Sequence, residues 1–99
     1  MLRKDTICVH PSRCQKLPYG AIATPIFQSA TFVHEGVETE SLYSYSRLQS
    51  PTRAALESRV AEMEGGEDAI AFATGMAAET TLMNLFESSG HIIAGDDLY

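Results

Sequence analysis

The run "SPTRAALESRVAEMEGG", residues 50–66, constrains the fold more than any other part of this chain. Ser50 can accept hydrogen bonds from the free N–H groups of a first helical turn. Pro51 suits the first helical position, where its missing donor is not needed. Leu56, Val60 and Met63 recur at helical spacing, which predicts a buried apolar stripe with Arg53, Glu57, Arg59, Glu62 and Glu64 mostly turned to water. Gly65 and Gly66 stop the helix, since glycine accepts the left-handed conformation of a C-terminal cap.

The pattern stays regular after that helix. "AIAFAT", residues 69–74, is a short apolar run of the kind that forms a buried strand in a parallel sheet, where both faces are covered and alternation disappears. "GMAAETTLMNLF" predicts a second helix with Leu82, Leu85 and Phe86 on its apolar face, and "HIIAGDDLY" predicts another short strand and the start of a loop. Strand, helix, strand is a βαβ unit, so the fold class is α/β. Ahead of Ser50 the character differs. "LPYGAIATPIFQSATFVHEG" is punctuated by Pro18, Gly20, Pro25 and Gly36 and holds no sustained helical period. Residues 1–49 therefore read as an extended arm and residues 50–99 as the beginning of a folded α/β unit.

Charge narrows the function classes. A net charge of −6 over 99 residues leaves no basic stripe to displace counterions from nucleic-acid phosphates. No apolar run approaches the roughly 20 residues that span a bilayer, and "MLRKDTICVHPSR" has no signal-peptide core. The expectation is a soluble, cytoplasmic protein with no nucleic-acid or membrane partner. Cys8, His10 and Cys14 invite a zinc reading, but no fourth ligand follows at a matching spacing, so two reduced cysteines and no metal are expected. His34 and His91 read as a loop residue and a strand-edge residue.

Two stretches carry chemistry. At "ATGMAAE" a strand would hand over to a helix whose free N–H groups and positive dipole end point outward, and Gly75 lets backbone approach an anion closely. A phosphate fits such a place, although a tight strand-to-helix turn alone also explains Gly75. Neither GxGxxG nor GxxxxGK[ST] is present, which argues against dinucleotide and P-loop sites. "YSYSRLQSPT" sets two tyrosines and an arginine among serines on a segment too polar for a core.

Taken together, "YSYSRLQSPTRAALESRVAEMEGG", "AFATGMAAE" and "GDDLY", in this order and spacing, resemble the opening segment of the Cys/Met metabolism pyridoxal-phosphate enzymes, the group of cystathionine γ-lyase, cystathionine γ-synthase and methionine γ-lyase. "GAIATPIFQSATFVHEGVE" is similar to that family's N-terminal arm. The resemblance implies a PLP-dependent transferase-like large domain of the aspartate aminotransferase type (fold type I), with pyridoxal 5'-phosphate as cofactor. It implies that Tyr45 and Arg47 reach into a neighbouring subunit's active site and bind the cofactor phosphate. The planar, permanently charged guanidinium suits that task. It further implies that the backbone N–H groups of Gly75 and Met76 hold the phosphate from within the subunit, and that Tyr99 stacks on the pyridine ring and assists proton transfer. The partners it implies are an amino-acid substrate and further copies of the chain, with active sites shared in a dimer and a tetramer overall.

Two positions depart from the family pattern: Ser50 stands where asparagine is usual, and "SSGHII" lacks an aspartate common after that glycine. The family also holds its cofactor covalently through a lysine far downstream, with an aspartate on the ring nitrogen. Lys4 and Lys16, the only lysines here, match no such position. The chain therefore reads as roughly the first quarter of a family member and as inactive alone. The parent activity expected is γ- or β-elimination of the cystathionine γ-lyase kind. Alternatives are γ-replacement by a cystathionine γ-synthase or O-acetylhomoserine sulfhydrylase, or, in another class, a non-catalytic interaction module.

Overall fold

The computed structural model describes residues 3–10, 16–37, 39 and 41–99. Helix α1 spans Lys4–Val9, a single 3-10 turn covers Pro18–Gly20, α2 spans Pro51–Glu64 and α3 spans Gly75–Met83. Cys14, part of the cysteine pair considered above, lies outside the described residues.

Helix α2 begins and ends where its residues dictate. The Ser50 hydroxyl accepts from the Arg53 N–H at 3.2 Å, with Pro51 in the first turn. Gly65 takes the left-handed conformation (φ 72°), and the Gly66 N–H closes on the Ala61 carbonyl at 2.9 Å. The arm is less uniform than its punctuation implies. It carries α1, which that reading does not anticipate, and it is tied to α2 at several points. The Phe27 N–H donates to Thr52 Oγ1 at 2.9 Å, Arg59 donates to the Ile7 carbonyl, and Cys8 Sγ lies 3.8 Å from Met63 Sδ. Residues 30–32 and 44–46 form a short antiparallel contact around Thr31 and Tyr45. There the Phe32 N–H donates to Ser44 O at 3.0 Å and the Ser46 N–H to Ala30 O at 2.9 Å.

The stripe predicted for α2 is not its buried face. Leu56 and Val60 are 56% and 42% exposed, whereas Ala55 and Ala61 are buried. The covered side of α2 is fastened to residues 7 and 27 and to Ala71 by polar groups. Arg53, Glu57 and Arg59, expected in water, are half-buried and bonded to other parts of the chain. The second helix stops at Met83, three residues short of the predicted end, and residues 84–86 continue as turns. Leu82, Leu85 and Phe86 remain more than half exposed.

Residues 69–74 and 91–95 do not become strands among the described residues. A strand exists through the ladder that satisfies its backbone, and neither segment lies beside the other or beside a third that could supply one. The same lack of cover shows in the dimensions. The radius of gyration is 17.3 Å, against about 13 Å for a compact chain of this length. The accessible surface is 8889 Å², against about 5,500 Å² for a compact monomer of this mass. The βαβ expectation thus survives here only as element order, with the helix in place and the ladder absent.

Candidate functional site

Tyr45 and Arg47 sit on a tight turn whose frame is backbone. The Leu48 and Gln49 N–H groups both donate to the Tyr45 carbonyl at 3.0 Å. On that frame Arg47 Nη2 donates to the Tyr45 hydroxyl at 2.7 Å, and the guanidinium carbon lies 5.0 Å from the centre of the Tyr45 ring. A phenol and a guanidinium are thereby held side by side, with Arg47 exposed and its other donors open toward solvent. Phe32 packs against Tyr43 behind this turn, ring centres 5.7 Å apart.

The second group of predicted residues is set by the start of α3. Thr74, in extended conformation, caps the helix: its hydroxyl accepts from the Ala77 N–H at 3.1 Å, and its carbonyl accepts from Ala78. The Gly75 and Met76 N–H groups find no acceptor among the described residues. They stand at the positive end of the helix dipole, and a Cβ added at Gly75 would meet no atom within 4 Å. Two adjacent unpartnered N–H donors at a helix start are the arrangement that binds a phosphate oxygen. The residues present thus fit a phosphate-bearing cofactor at both places. Thr74, which sequence reasoning passed over, takes the third donor. A threonine directly before a helical run was the available signal.

The two groups do not share a cleft among the described residues. Arg47 lines an open cleft of about 410 Å³ with Leu48, Gln49, Arg53, Glu57 and residues 68–71, and neither Gly75 nor Met76 belongs to it. Tyr99 stands at the end of the chain, fully exposed, with no hydrogen bond or ring contact among the described residues. No group of three His, Cys, Asp or Glu side chains is placed to hold a metal among those residues. No helix is long and apolar enough to cross a membrane.

One arrangement in the cleft was not read from the sequence. Arg53 donates to the carbonyls of Arg47 (3.4 Å) and Leu48, and its Nε lies 3.6 Å from Glu57 Oε1. That same carboxylate oxygen accepts from the Ala71 N–H at 2.9 Å. The i,i+4 spacing of Arg53 and Glu57 signals the pair itself, but nothing in the spacing announces the two backbone segments that it gathers.

The family model for Cys/Met metabolism PLP-dependent enzymes matches residues 5–99. The chain is 40% identical over 98 residues to cystathionine γ-lyase of Bacillus subtilis, covering 99% of this chain and 26% of that protein. It is 38% identical to a probable cystathionine γ-synthase of Herpetosiphon aurantiacus, over 95% of this chain and 30% of that one. It is also 38% identical to cystathionine β-lyase of Coxiella burnetii, over 96% of this chain and 24% of that one. Among solved structures it is similar to cystathionine γ-lyase from Lactobacillus plantarum complexed with L-serine, with a TM-score of 0.81 and 37% identity. That match covers 99% of this chain and 26% of the other. The chain thus spans about a quarter of the length of the relatives it matches, and within that quarter the element order, the capped α2 and the donors ahead of α3 accompany the sequence match. This chain belongs to the Cys/Met metabolism PLP-dependent enzymes.

Proposed function

We propose that this chain is the N-terminal portion of a pyridoxal-phosphate-dependent enzyme that eliminates a γ- or β-substituent from a sulfur amino acid, cystathionine γ-lyase-like. Replacement of the γ-substituent, as by a cystathionine γ-synthase or O-acetylhomoserine sulfhydrylase, is the alternative. The observation that carries this reading beyond family membership is the preformed Tyr45–Arg47 pair, a phenol and a guanidinium fixed 2.7 Å apart on one turn. An exposed cation held by its own neighbour, with donors left over, is suited to take phosphate oxygens.

In this reading Tyr45 and Arg47 hold the cofactor phosphate in a neighbouring subunit, while the Gly75 and Met76 N–H groups hold it within their own. Tyr99 would stack on the pyridine ring and assist proton transfer. When bound, the cofactor supplies an electron sink for the charge left as the substrate's Cα loses a proton. The reading includes an extended arm over residues 1–49, the start of the cofactor-binding α/β domain over 50–99, and a cytoplasmic homotetramer. The 99 residues alone have no activity, since Lys4 and Lys16 match no lysine position of the family.

Product identity tests it. A complete enzyme carrying this segment, given cystathionine and water, should release cysteine, 2-oxobutyrate and ammonia. Homocysteine and pyruvate would instead mark β-elimination. Formation of cystathionine from O-acetylhomoserine and cysteine, without cleavage, would select γ-replacement. No turnover of any of these by cofactor-loaded protein would overturn the proposal.

A further inference from the structure

We infer that Arg53 is a positioning residue for Arg47, anchored by Glu57, and that this ion pair joins the turn bearing Tyr45 and Arg47 to the segment leading into the Gly75–Met76 donors. The inference rests on the functional reading above.

Three pieces of chain meet at this pair. From one side come the carbonyls of Arg47 and Leu48, both accepting from the Arg53 guanidinium. Beneath lies the first turn of α2, where the Ser50 cap fixes the Arg53 backbone. From the other side comes the Ala71 N–H, which donates to Glu57 Oε1 at 2.9 Å. The Arg53 and Glu57 side chains are 32% and 21% exposed, so each is half withdrawn from water along the wall of the cleft that Arg47 shares.

The chemistry of the two side chains suits that task. A carbonyl can turn freely unless a donor pins it, and the planar guanidinium pins two successive carbonyls at once while its remaining edge faces the carboxylate. Pinning the carbonyl of Arg47 fixes the peptide plane next to its Cα, and with it the direction in which the Arg47 side chain leaves the turn. Lysine, with one rotating ammonium, cannot reproduce that fork. The carboxylate holds the fork in place, and its hydrogen bond to Ala71 fastens residues 69–71, which have no ladder of their own here. From Ala71 to Gly75 the chain can span at most about 14 Å, so this bond restricts where the α3 donors start. One charge pair thus orients the phosphate cation offered to a neighbour and limits the travel of the phosphate donors kept at home.

The test uses the apo form of a complete enzyme carrying these residues, with pyridoxal phosphate and pyridoxal as probes. The ratio of the two affinities isolates what the phosphate contributes. Arg53→Lys and Glu57→Gln both keep size and polarity, and Glu57→Gln keeps an acceptor for Ala71. Each should lower the ratio by about 3- to 10-fold, the worth of an ordinary hydrogen bond, with affinity for pyridoxal unchanged. In an Arg47→Ala background neither should lower it further, because Arg53 acts through Arg47 and both variants leave the acceptor for Ala71, and with it the start of the α3 donors, in place. An unchanged ratio in both variants, a parallel loss for both probes, or a full additional loss in the Arg47→Ala background would each overturn the inference. If Arg47→Ala itself leaves the ratio intact, the phosphate role of Arg47 fails instead, a separate result that removes the ground of the inference.

Discussion

Helices α2 and α3 both start on a hydroxyl that accepts from the N–H three residues on, Ser50 from Arg53 and Thr74 from Ala77, yet only α2 acquires neighbours. It is fastened to Ile7, Phe27, Leu48 and Ala71 by side chains projecting from its own turns, and the two buried residues of the described chain, Ala55 and Ala61, lie on it. No residue of α3 is buried, and Leu82 and Met83 are half exposed. Local chemistry therefore sets where a helix begins, while cover from distant chain sets which face matters. The region that lacks cover is also the one that offers the unpartnered N–H donors of Gly75 and Met76.

The comparison can be broken first at the open end. If Tyr99 moves a proton, Tyr99→Phe in a complete enzyme should lower kcat by about 10- to 1000-fold and keep most cofactor affinity, since the stacking face survives. Steady-state kinetics alongside bound-cofactor measurement would show it. Unchanged kcat would leave the uncovered region without a catalytic group.

Two glycines sharpen the contrast at smaller magnitude. Gly65 caps α2 with φ 72°, so Gly65→Ala should cost about 1 kcal/mol of apoenzyme stability in a denaturant titration. Gly75 has no positive φ and open space ahead of it. Gly75→Ala should leave apoenzyme stability nearly untouched and weaken pyridoxal phosphate binding. The reverse outcome would mean that Gly75 serves only the turn.

The two caps separate the regions by a difference in response to the cofactor. Ser50→Ala and Thr74→Ala should each destabilise the apoenzyme by about 1 kcal/mol. Thr74→Ala also frees the Ala77 N–H beside those of Gly75 and Met76, so its loss should shrink once the cofactor is bound, whereas that of Ser50→Ala should not. Thermal melts of the apo and loaded forms distinguish them, and identical behaviour of the two caps would place the phosphate elsewhere.

Much of this was legible in the residues. Ser50, Pro51 and Gly65 wrote the bounds of α2, and the motif order wrote the family, because caps and motifs act through neighbours in sequence. The inward face of α2 was not legible. The period of Leu56, Val60 and Met63 records a face that packs only when something covers it, whereas the buried residues of α2 are Ala55 and Ala61 and its fastenings run through Arg53, Glu57 and Arg59. The strands expected at residues 69–74 and 91–95 do not form among the described residues for a related reason, since a strand is a property of a pair of segments. At the candidate site the identities of Tyr45, Arg47, Gly75 and Met76 came from the motifs, but the Tyr45–Arg47 hydrogen bond and the capture of Ala77 by Thr74 depend on side-chain placement that spacing does not encode.

The central claim is that this segment supplies Arg47 to a neighbour's cofactor while keeping Gly75 and Met76 for its own. Mixed oligomers test it most directly: one subunit carries Arg47→Ala, and the other lacks the lysine that holds the cofactor. With Arg47 acting across the interface, each parent oligomer is impaired and the hetero-oligomer, isolated by two affinity tags, regains activity because some of its sites combine intact residues from both subunits. Hetero-oligomers that form and show no more activity than the Arg47→Ala parent would place Arg47 in its own subunit's site and contradict the account.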